Sequence, residues 1–417
     1  MKISPLLLLS LCLSATSLSF AVQAEDAKTA KNASVQIDAD SVVVTEHETT
    51  VLDQDFSYKA YTGTQPVWDE QGNPTAAIFY TYYERQDVKD RKSRPLLISF
   101  NGGPGSASVW MQIAYTGPKA LNVDSEGYPL QPYGVKQNPY SVLDTADIVF
   151  VNPVNTAYSR VLPGKDGKMP SPDQQQKMFF GVNADIKYLA EWVNTFVSRY
   201  NRWESPKYLI GESYGTTRVS GLALALQNQQ WMYLNGVVLV SPTEIGIKRD
   251  GPVDVANRLP YFAATAWYHK ALSSDLQQKD LTDYLPEVEE FTLNTYLPAL
   301  AKGNSLPQAE KQQIAEQVAK YSGLSVKAVL QNNLDINTDF FWKELLRERG
   351  QTVGRLDSRY LGIDKKDAGS EPDYNAELTS WLHSFTPAIN NYLKNELNYK
   401  TDVKYNMFGN CLLYTSD

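Results

Sequence analysis

Cysteine and histidine are scarce in this chain of 417 residues, which has two cysteines and three histidines. Cys12 lies in an apolar stretch near the start of the chain, and Cys411 lies close to its end. A small secreted scaffold held by disulfides needs several paired cysteines, so that class is excluded. The histidines lie far apart and match none of the usual zinc spacings, so the sequence predicts no metal and no cofactor.

Two other features are also lacking. The net charge is −8, and no cluster of Lys and Arg indicates a nucleic-acid partner or an anionic lipid surface. Beyond the first residues, no apolar run is long enough to cross a bilayer, so no membrane span is expected. Internal repeats and low-complexity runs are absent from the sequence as well.

The start of the chain has the pattern of an export signal. A positive start at Lys2 is followed by an apolar run and by a small-x-small ending at Ala24. This pattern predicts a signal peptide over residues 1–24, removed on export, and a polar, disordered lead-in over residues 25–40. An exported protein without disulfides is typical of bacteria, so a periplasmic or secreted location is expected.

The most informative stretch is a short apolar strand at residues 207–210 that leads into Gly211-Glu212-Ser213-Tyr214-Gly215 and then a helix. A serine in a tight turn between strand and helix exposes its hydroxyl above the sheet. The amides at the helix N-terminus then point toward developing negative charge. The pattern indicates a nucleophilic serine, although Gly-x-Ser-x-Gly alone is a weak motif.

A second motif supports this interpretation. The apolar run of residues 95–100 ends in Asn101-Gly102-Gly103-Pro104-Gly105. A Gly-Gly loop after an early strand is where a hydrolase of this fold class finds the second amide of its oxyanion hole. Both motifs occur in the expected order, which makes two unrelated glycine turns a poor explanation.

The remaining pattern predicts the architecture. Apolar runs at residues 42–44, 56–61, 76–83, 147–152 and 236–240 read as strands, and residues 183–200 as a helix with Asn183 or Asp185 near its cap. Residues 41–249 are therefore predicted to form an α/β-hydrolase core with a mostly parallel sheet. Residues 250–400 are predicted as an inserted helical cap. One of its helices should follow Pro307, with Ile314, Val318 and Tyr321 on one face, and the next should be capped by Ser325. Residues 401–410 are predicted as the start of the return to the core.

At this level of detail the sequence resembles the serine carboxypeptidase family, the carboxypeptidase Y-like peptidases, and in particular its bacterial branch. The resemblance covers roughly residues 45–410. It rests on residues 101–106 and 211–215, on residues 147–153 leading to 158–160, and on residues 354–360 in the cap. The glutamate directly before the serine is what separates this family from most α/β hydrolases.

The resemblance implies a role for each matched residue. Ser213 would be the nucleophile, and the amides of Gly103 and Tyr214 the oxyanion hole. Asn101, Gly102 and Glu212 would hold the free C-terminal carboxylate of a peptide substrate. Because two carboxylates in contact cannot both ionise cheaply, tighter peptide binding is expected at acidic pH.

Three positions depart from the family pattern. The family often has Trp at the position of Ser99 and Cys at that of Ser106, and residues 155–157 (Asn-Thr-Ala) replace a Gly-Thr-Gly pattern. These departures fit a bacterial variant without disulfides, and they leave the side-chain preference of the enzyme open.

The rest of a Ser, Asp, His triad is missing from the sequence pattern. None of His47, His269 and His383 follows a glycine, as the catalytic histidine of the family does, and no late Asp ends an apolar strand. Residues 411–417 match the translation of a transposase adapter used in sequencing. The catalytic Asp and His are therefore expected beyond the end of this chain, which as written should hydrolyse little.

Three alternatives stay open. A proline iminopeptidase-type aminopeptidase has a similar Gly-Gly-Pro-Gly loop, although Glu212 and Asn101 argue against it. An acyltransferase on the same fold and a non-catalytic binding protein are the others. The sequence does not predict the oligomeric state.

Overall fold

The computed structural model describes residues 36–243 and 250–409. The predicted signal peptide, most of the predicted lead-in and the predicted adapter-derived segment (411–417) lie outside the described residues. The architecture below is that of the compact unit that begins at Ile37. Among the described residues, no helix combines the length and the apolar character needed to span a membrane.

A mixed sheet organises the first half of the chain. The strands of this sheet, and of a small hairpin formed by β5 and β6, are β1 (Ser41–Val51), β2 (Gln54–Trp68), β3 (Pro74–Arg85), β4 (Leu96–Phe100), β5 (Lys119–Leu121), β6 (Val135–Gln137), β7 (Asp147–Val151), β8 (Arg160–Val161), β9 (Lys207–Glu212) and β10 (Gly236–Val240). The sheet has the order β1-β2-β3-β7-β4-β9-β10, and β8 pairs with β3. The strands predicted from the apolar runs are confirmed.

Strands β1 to β3 are antiparallel, whereas β7, β4, β9 and β10 run parallel to one another. Every residue of β4 and β7 is buried, as expected for central parallel strands that are covered on both faces. The edge strand β10 differs, because the consecutive residues Val237, Val238 and Leu239 are 39%, 44% and 48% exposed. Parallel strands bring their carboxyl ends to one side of the sheet. Asn101 and Ser213, which lie at the carboxyl ends of β4 and β9, are therefore on that same side.

Helices cover both faces of the sheet and fill the second half of the chain. Their bounds are α1 (Pro172–Gln175), α2 (Val182–Arg199), α3 (Tyr214–Gln229), α4 (Gly251–Asn257), α5 (Leu259–Tyr268), α6 (Ser274–Gln277), α7 (Leu281–Phe291), α8 (Leu297–Lys302), α9 (Gln308–Ser322), α10 (Val326–Gln331), α11 (Thr338–Glu344) and α12 (Ala376–Asn391). Helices α2 and α3 pack on one face of the sheet through residues such as Trp192, Phe196 and Leu222.

The predicted helix over residues 183–200 is confirmed to within one residue at each end, and Asp185 lies in its first turn. The helix begins at Val182, with Gly181 as its N-cap residue, and neither Asn183 nor Asp185 caps it. The carboxylate of Asp185 instead bonds to Arg218 on α3. Caps and tertiary ion pairs use the same side chains, so the sequence alone does not show which of the two a residue such as Asp185 near a helix start will form.

Residues 250–353 form a helical segment with its own apolar cluster, which runs from Val255 to Val353. Two details predicted for it are confirmed: the buried face of α9 includes Ile314, Val318 and Tyr321, and the side chain of Ser325 caps α10. A two-stranded hairpin, β11 (Thr352–Val353) and β12 (Leu361–Gly362), follows.

Helix α12 shares an apolar cluster with the sheet, and none of its residues belongs to the apolar cluster of this helical segment. Its residues Phe385 and Ile389 belong to the same apolar cluster as Leu97 and Phe150 of the sheet. After α12, Asn406 pairs with Ala157 and Phe408 pairs with Ser106 in isolated bridges. The chain is thus back against the core well before residue 400, and the boundaries of a cap stay a prediction.

Candidate active site

Ser213 lies in a strained turn between β9 and α3. Its backbone angles are φ 56° and ψ −126°, a conformation that side chains with a Cβ rarely adopt. The turn is fixed on both sides, because the Ser213 amide donates to the Val240 carbonyl (3.0 Å) and the Ser213 carbonyl accepts from the Thr216 amide (2.9 Å). Such overdetermined strain is typical of functional sites.

Close backbone contacts explain two glycines of the motifs. A Cβ added at Gly211 would lie 2.1 Å from the Gly215 carbonyl oxygen, so the sharp turn at the serine excludes a side chain there. A Cβ added at Gly102 would lie 2.5 Å from the Tyr214 amide nitrogen and 2.8 Å from the Ser213 Cβ. The Gly-Gly loop therefore lies directly against the serine.

Asn101 links this loop to the strand that carries the serine. Its Nδ2 donates to Glu212 Oε2 at 3.0 Å, and its Oδ1 accepts from the Met111 amide at 2.9 Å. Its own amide donates to Ser108 Oγ at 3.3 Å. The Asn101 side chain is fully buried, whereas Glu212 is partly exposed, so the pair presents one open side.

The structure thus brings together all six residues named from the sequence. Asn101, Gly102 and Gly103 are consecutive in one loop, and Glu212, Ser213 and Tyr214 form the turn against which that loop packs. Donors, a carboxyl group and a partly exposed hydroxyl lie at one edge of the sheet. Their roles in binding and catalysis stay predictions.

The structure places the three histidines, which all lie in the described part of the chain, away from this turn. His47 bonds Thr45 Oγ1 and stacks on Tyr58, with 5.2 Å between the ring centroids. His269 Nε2 bonds the Ser358 carbonyl at 2.6 Å, and His383 Nδ1 bonds the Thr379 carbonyl within its own helix. None of them hydrogen-bonds Ser213.

Sequence reasoning missed Arg218, which lies one turn after Tyr214 on α3. Its Nε bonds Asp185 Oδ2 at 2.7 Å, and its Nη1 donates to the Asn101 carbonyl at 2.8 Å. A signal was present, because Tyr214, Arg218 and Leu222 are spaced by four residues on the buried face of the helix. An arginine in an apolar stripe calls for a buried partner.

The short helix after the Gly-Gly loop was also not predicted. Residues Met111–Thr116 form a π-helical turn that carries Tyr115. Burial raises the pKa of the Tyr115 phenol and the charge of Glu212 raises it further, while the phenol hydroxyl donates to Met111 Sδ at 2.6 Å. At the start of this turn, Trp110 Nε1 donates to Ser106 Oγ at 2.9 Å, which gives the departure at position 106 a structural partner.

Within the described residues, no group of three or more His, Cys, Asp and Glu side chains is arranged to hold a metal ion.

The parallel strands, the strained serine turn and the flanking helices define an α/β-hydrolase fold. The model of the family described as serine carboxypeptidase matches residues 51–397, which is most of the chain. The protein therefore belongs to the serine carboxypeptidase family.

Individual relatives show the same similarity. Serine carboxypeptidase-like 36 of Arabidopsis thaliana is 29% identical over 196 residues, which cover 45% of this chain and 36% of that protein. The vitellogenic carboxypeptidase of Aedes aegypti is 25% identical over 211 residues, covering 49% of this chain and 38% of that protein. The matched part thus spans a little over a third of the length of these curated relatives.

A solved structure is similar as well. It is that of Kex1Δp, a prohormone-processing carboxypeptidase from Saccharomyces cerevisiae, with 18% identity and a TM-score of 0.38. The match covers 63% of this chain and 53% of that one.

Proposed function

We propose that this chain belongs to an exported serine carboxypeptidase, which removes C-terminal residues from peptides through an acyl-enzyme on Ser213. The observation that carries the proposal is the Asn101–Glu212 hydrogen bond of 3.0 Å beside the strained serine. An enzyme that removes a C-terminal residue must bind a free carboxylate next to the scissile bond, and this pair lies where such a group would bind.

The proposed recognition uses three donors. Asn101 Nδ2, the Gly102 amide and a protonated Glu212 would hold the substrate carboxylate. Because Glu212 must carry a proton to donate to a carboxylate, binding takes up one proton and strengthens as the pH falls. Sharing of a proton between two close carboxyl groups is the same principle that governs carboxyl pairs in other hydrolases.

The proposed reaction follows from the positions of the groups. Ser213 Oγ attacks the scissile carbonyl carbon while its proton passes to a base, and the amides of Gly103 and Tyr214 stabilise the oxyanion. The C–N bond then breaks, the base protonates the leaving amine, and water hydrolyses the Ser213 ester. The three histidines bond groups other than Ser213, so none of them is proposed as this base.

The edge strand β10 supports placing the base and its acid in further polypeptide of the whole protein. Its residues Val237, Val238 and Leu239 are apolar on both faces, as in interior parallel strands, yet each is exposed by more than a third. We propose that a further strand pairs with β10 in the whole protein. Recovery of the gene beyond codon 410 from its source DNA tests this, because the frame should continue into an Asp after a strand and a Gly-His.

Two measurements on the protein encoded by the recovered gene test the proposed activity. A fluorophosphonate probe should label Ser213, and the Ser213→Ala variant should not react. Hydrolysis should require a free C-terminus and tolerate a blocked N-terminus. The opposite dependence would indicate the aminopeptidase, and absence of both labelling and hydrolysis would indicate a binding protein.

A further inference from the structure

Arg218 and Asp185 form a buried ion pair directly behind the Gly-Gly loop. Their side chains are 1% and 3% exposed, and Arg218 Nε bonds Asp185 Oδ2 at 2.7 Å. Burial by itself would lower the pKa of Arg218, but the charge and the hydrogen bond of Asp185, together with the neighbouring Tyr188 and Tyr214, outweigh burial and raise the pKa. The guanidinium therefore stays charged although water does not reach it.

The other end of this guanidinium makes a hydrogen bond outside the pair. Arg218 Nη1 donates to the Asn101 carbonyl oxygen at 2.8 Å. The same group lies over the rings of Phe100 and Tyr214, with 5.7 Å and 5.1 Å from its Cζ to the ring centroids. Arg218 thus contacts the residue before the loop, the loop itself and the residue after Ser213.

The contact with the Asn101 carbonyl has a geometric consequence for the next residue. A peptide unit is planar, and the bond between Asn101 and Gly102 is trans because the cis bonds in the described chain precede Pro104 and Pro132. In a trans unit the C=O and the N–H point in opposite directions. Holding the Asn101 carbonyl toward Arg218, in the interior, therefore directs the Gly102 N–H away from the interior.

A charged donor on the carbonyl also strengthens the amide. Hydrogen bonds to an ionised group are shorter and stronger than neutral ones, and bonds in a chain polarise one another. The Gly102 N–H is one of the three groups proposed to hold the substrate carboxylate. Asp185 in turn fixes the direction of the guanidinium, since its carboxylate accepts from Arg218 Nε and from Tyr188 Oη (3.3 Å).

We propose that the Asp185–Arg218 pair is a positioning device for carboxylate recognition, which orients and polarises the Asn101–Gly102 peptide. The inference rests on the proposed function, because it concerns the same substrate carboxylate. Arg218 and Asp185 are positioning residues that act through the Gly102 amide and do not touch the substrate.

A second buried pair provides a matched control at the other end of the strands. Arg202 and Asp147 are both fully buried, with 2.6 Å between Arg202 Nη1 and Asp147 Oδ2. Arg202 Nη2 also donates to a backbone carbonyl, that of Arg94, at 2.8 Å. The chemistry is the same, but the carbonyl precedes β4 whereas Asn101 follows it.

The test compares binding of benzoyl-Ala-Phe with binding of its C-terminal amide, measured by calorimetry on the full chain in a Ser213→Ala background. The parent should prefer the acid. Arg218→Met should reduce that preference about tenfold, a change of the size that loss of one well-placed hydrogen bond to a charged group produces. Arg202→Met should leave the preference for the acid unchanged. If Arg202→Met does not fold, Lys343→Met, which breaks the buried pair of Lys343 with Asp364, serves as the control instead.

The outcomes separate the two proposals. If the parent binds acid and amide equally, the proposed function fails. If the parent prefers the acid but a folded Arg218→Met keeps the full preference, or if the control loses as much, the positioning role is overturned. Should Arg218→Met fail to fold, Asp185→Asn decides, with a smaller loss expected because the guanidinium remains. Partial recovery in Arg218→Lys, which keeps a cation, would further support the role.

Discussion

A buried ion pair between Arg and Asp lies at each end of the parallel strands, but the two pairs hold different parts of the molecule. At the amino end, Asp147 accepts from Arg94 Nε and Arg202 Nη1 and from the Arg85 amide, and all of these groups lie far from the serine along the strands. At the carboxyl end, Asp185 and Arg218 lie behind the loop that packs on Ser213. A buried ion pair by itself therefore does not indicate a function. The function is indicated by the backbone group that the pair holds.

The largest effect is expected from Asp147→Asn at the amino end. Removing this charge leaves two buried guanidinium groups without compensation, and breaking a buried pair in this way costs about 3–5 kcal/mol of the free energy of unfolding. Denaturant unfolding should show a greater loss than Asp185→Asn, which leaves only one arginine unpaired. An equal or smaller loss for Asp147→Asn would mean that the two ends do not differ as the contacts indicate.

A smaller loss of stability is expected at the carboxyl end from Gly102→Ala. The added Cβ would lie 2.5 Å from the Tyr214 amide nitrogen, so the loop and the serine turn must separate. Overpacking of this kind costs about 1–3 kcal/mol, and acid-selective peptide binding should be lost with it. Gly134→Ala is the matched control, since nothing lies within 4 Å of a Cβ there. Unchanged stability and binding in Gly102→Ala would contradict the close approach of the loop.

The pH dependence of peptide binding should also differ between variants at the two ends of the strands. Binding of a peptide with a free C-terminus should tighten toward acidic pH by up to about tenfold per pH unit, the slope for uptake of one proton. Glu212→Gln, which donates at every pH, should give a flat profile, whereas Arg202→Met should keep the slope of the parent. Identical profiles for the parent and Glu212→Gln would refute the shared proton. The measurement is calorimetry between pH 5 and 8 in the Ser213→Ala background.

The smallest effect is expected away from both ends, at His269. Burial lowers its pKa from the ordinary value of 6.5, the charge of Arg349 lowers it further, and the hydrogen bond to the Ser358 carbonyl opposes both. The unfolded chain therefore binds this proton more readily. The stability that neutral His269 contributes is fully present above pH 6.5 and is lost progressively below it, as the pH falls toward the lowered pKa of the folded protein.

Replacing this histidine isolates its share of the acid sensitivity. His269→Gln should flatten the decline of the free energy of unfolding between pH 7.5 and 5.5, measured with denaturant at each pH. The same decline in both proteins would show that other groups account for it.

Much of the site was predictable because its residues are close in sequence to strand ends. Asn101 and Ser213 each follow an apolar run of strand length, and parallel strands bring their carboxyl ends to one edge whatever the loops between them. The helix capped by Ser325 and the buried face of α9 were predictable because a cap and a helical periodicity are set by residues that are close in sequence. The pairing of Asn101 with Glu212, 111 residues apart, follows once β4 and β9 are neighbours.

What depended on tertiary packing was not predictable in this way. Asp185 was read as lying near a helix cap, yet it serves Arg218 across 33 residues. Helix α12 falls within the predicted cap by its position in the chain, and no local pattern indicated that Phe385 and Ile389 belong to the apolar cluster of the sheet. Tyr115 lies in a π-helical turn that no periodicity indicated, and its hydroxyl donates to Met111 Sδ.

The sequence by itself determined the strands and the tight serine turn, because hydrophobic periodicity and glycine sterics act over a few residues. The residues proposed to hold the substrate carboxylate were named from the resemblance to the family. Only the tertiary structure decided which buried charge faces which backbone group. The energy of a buried charge depends on partners that are distant in sequence, and these are set by the packing of helices on the sheet. Arg218 shows this, since its role appears only once the Asn101 carbonyl is found in front of it.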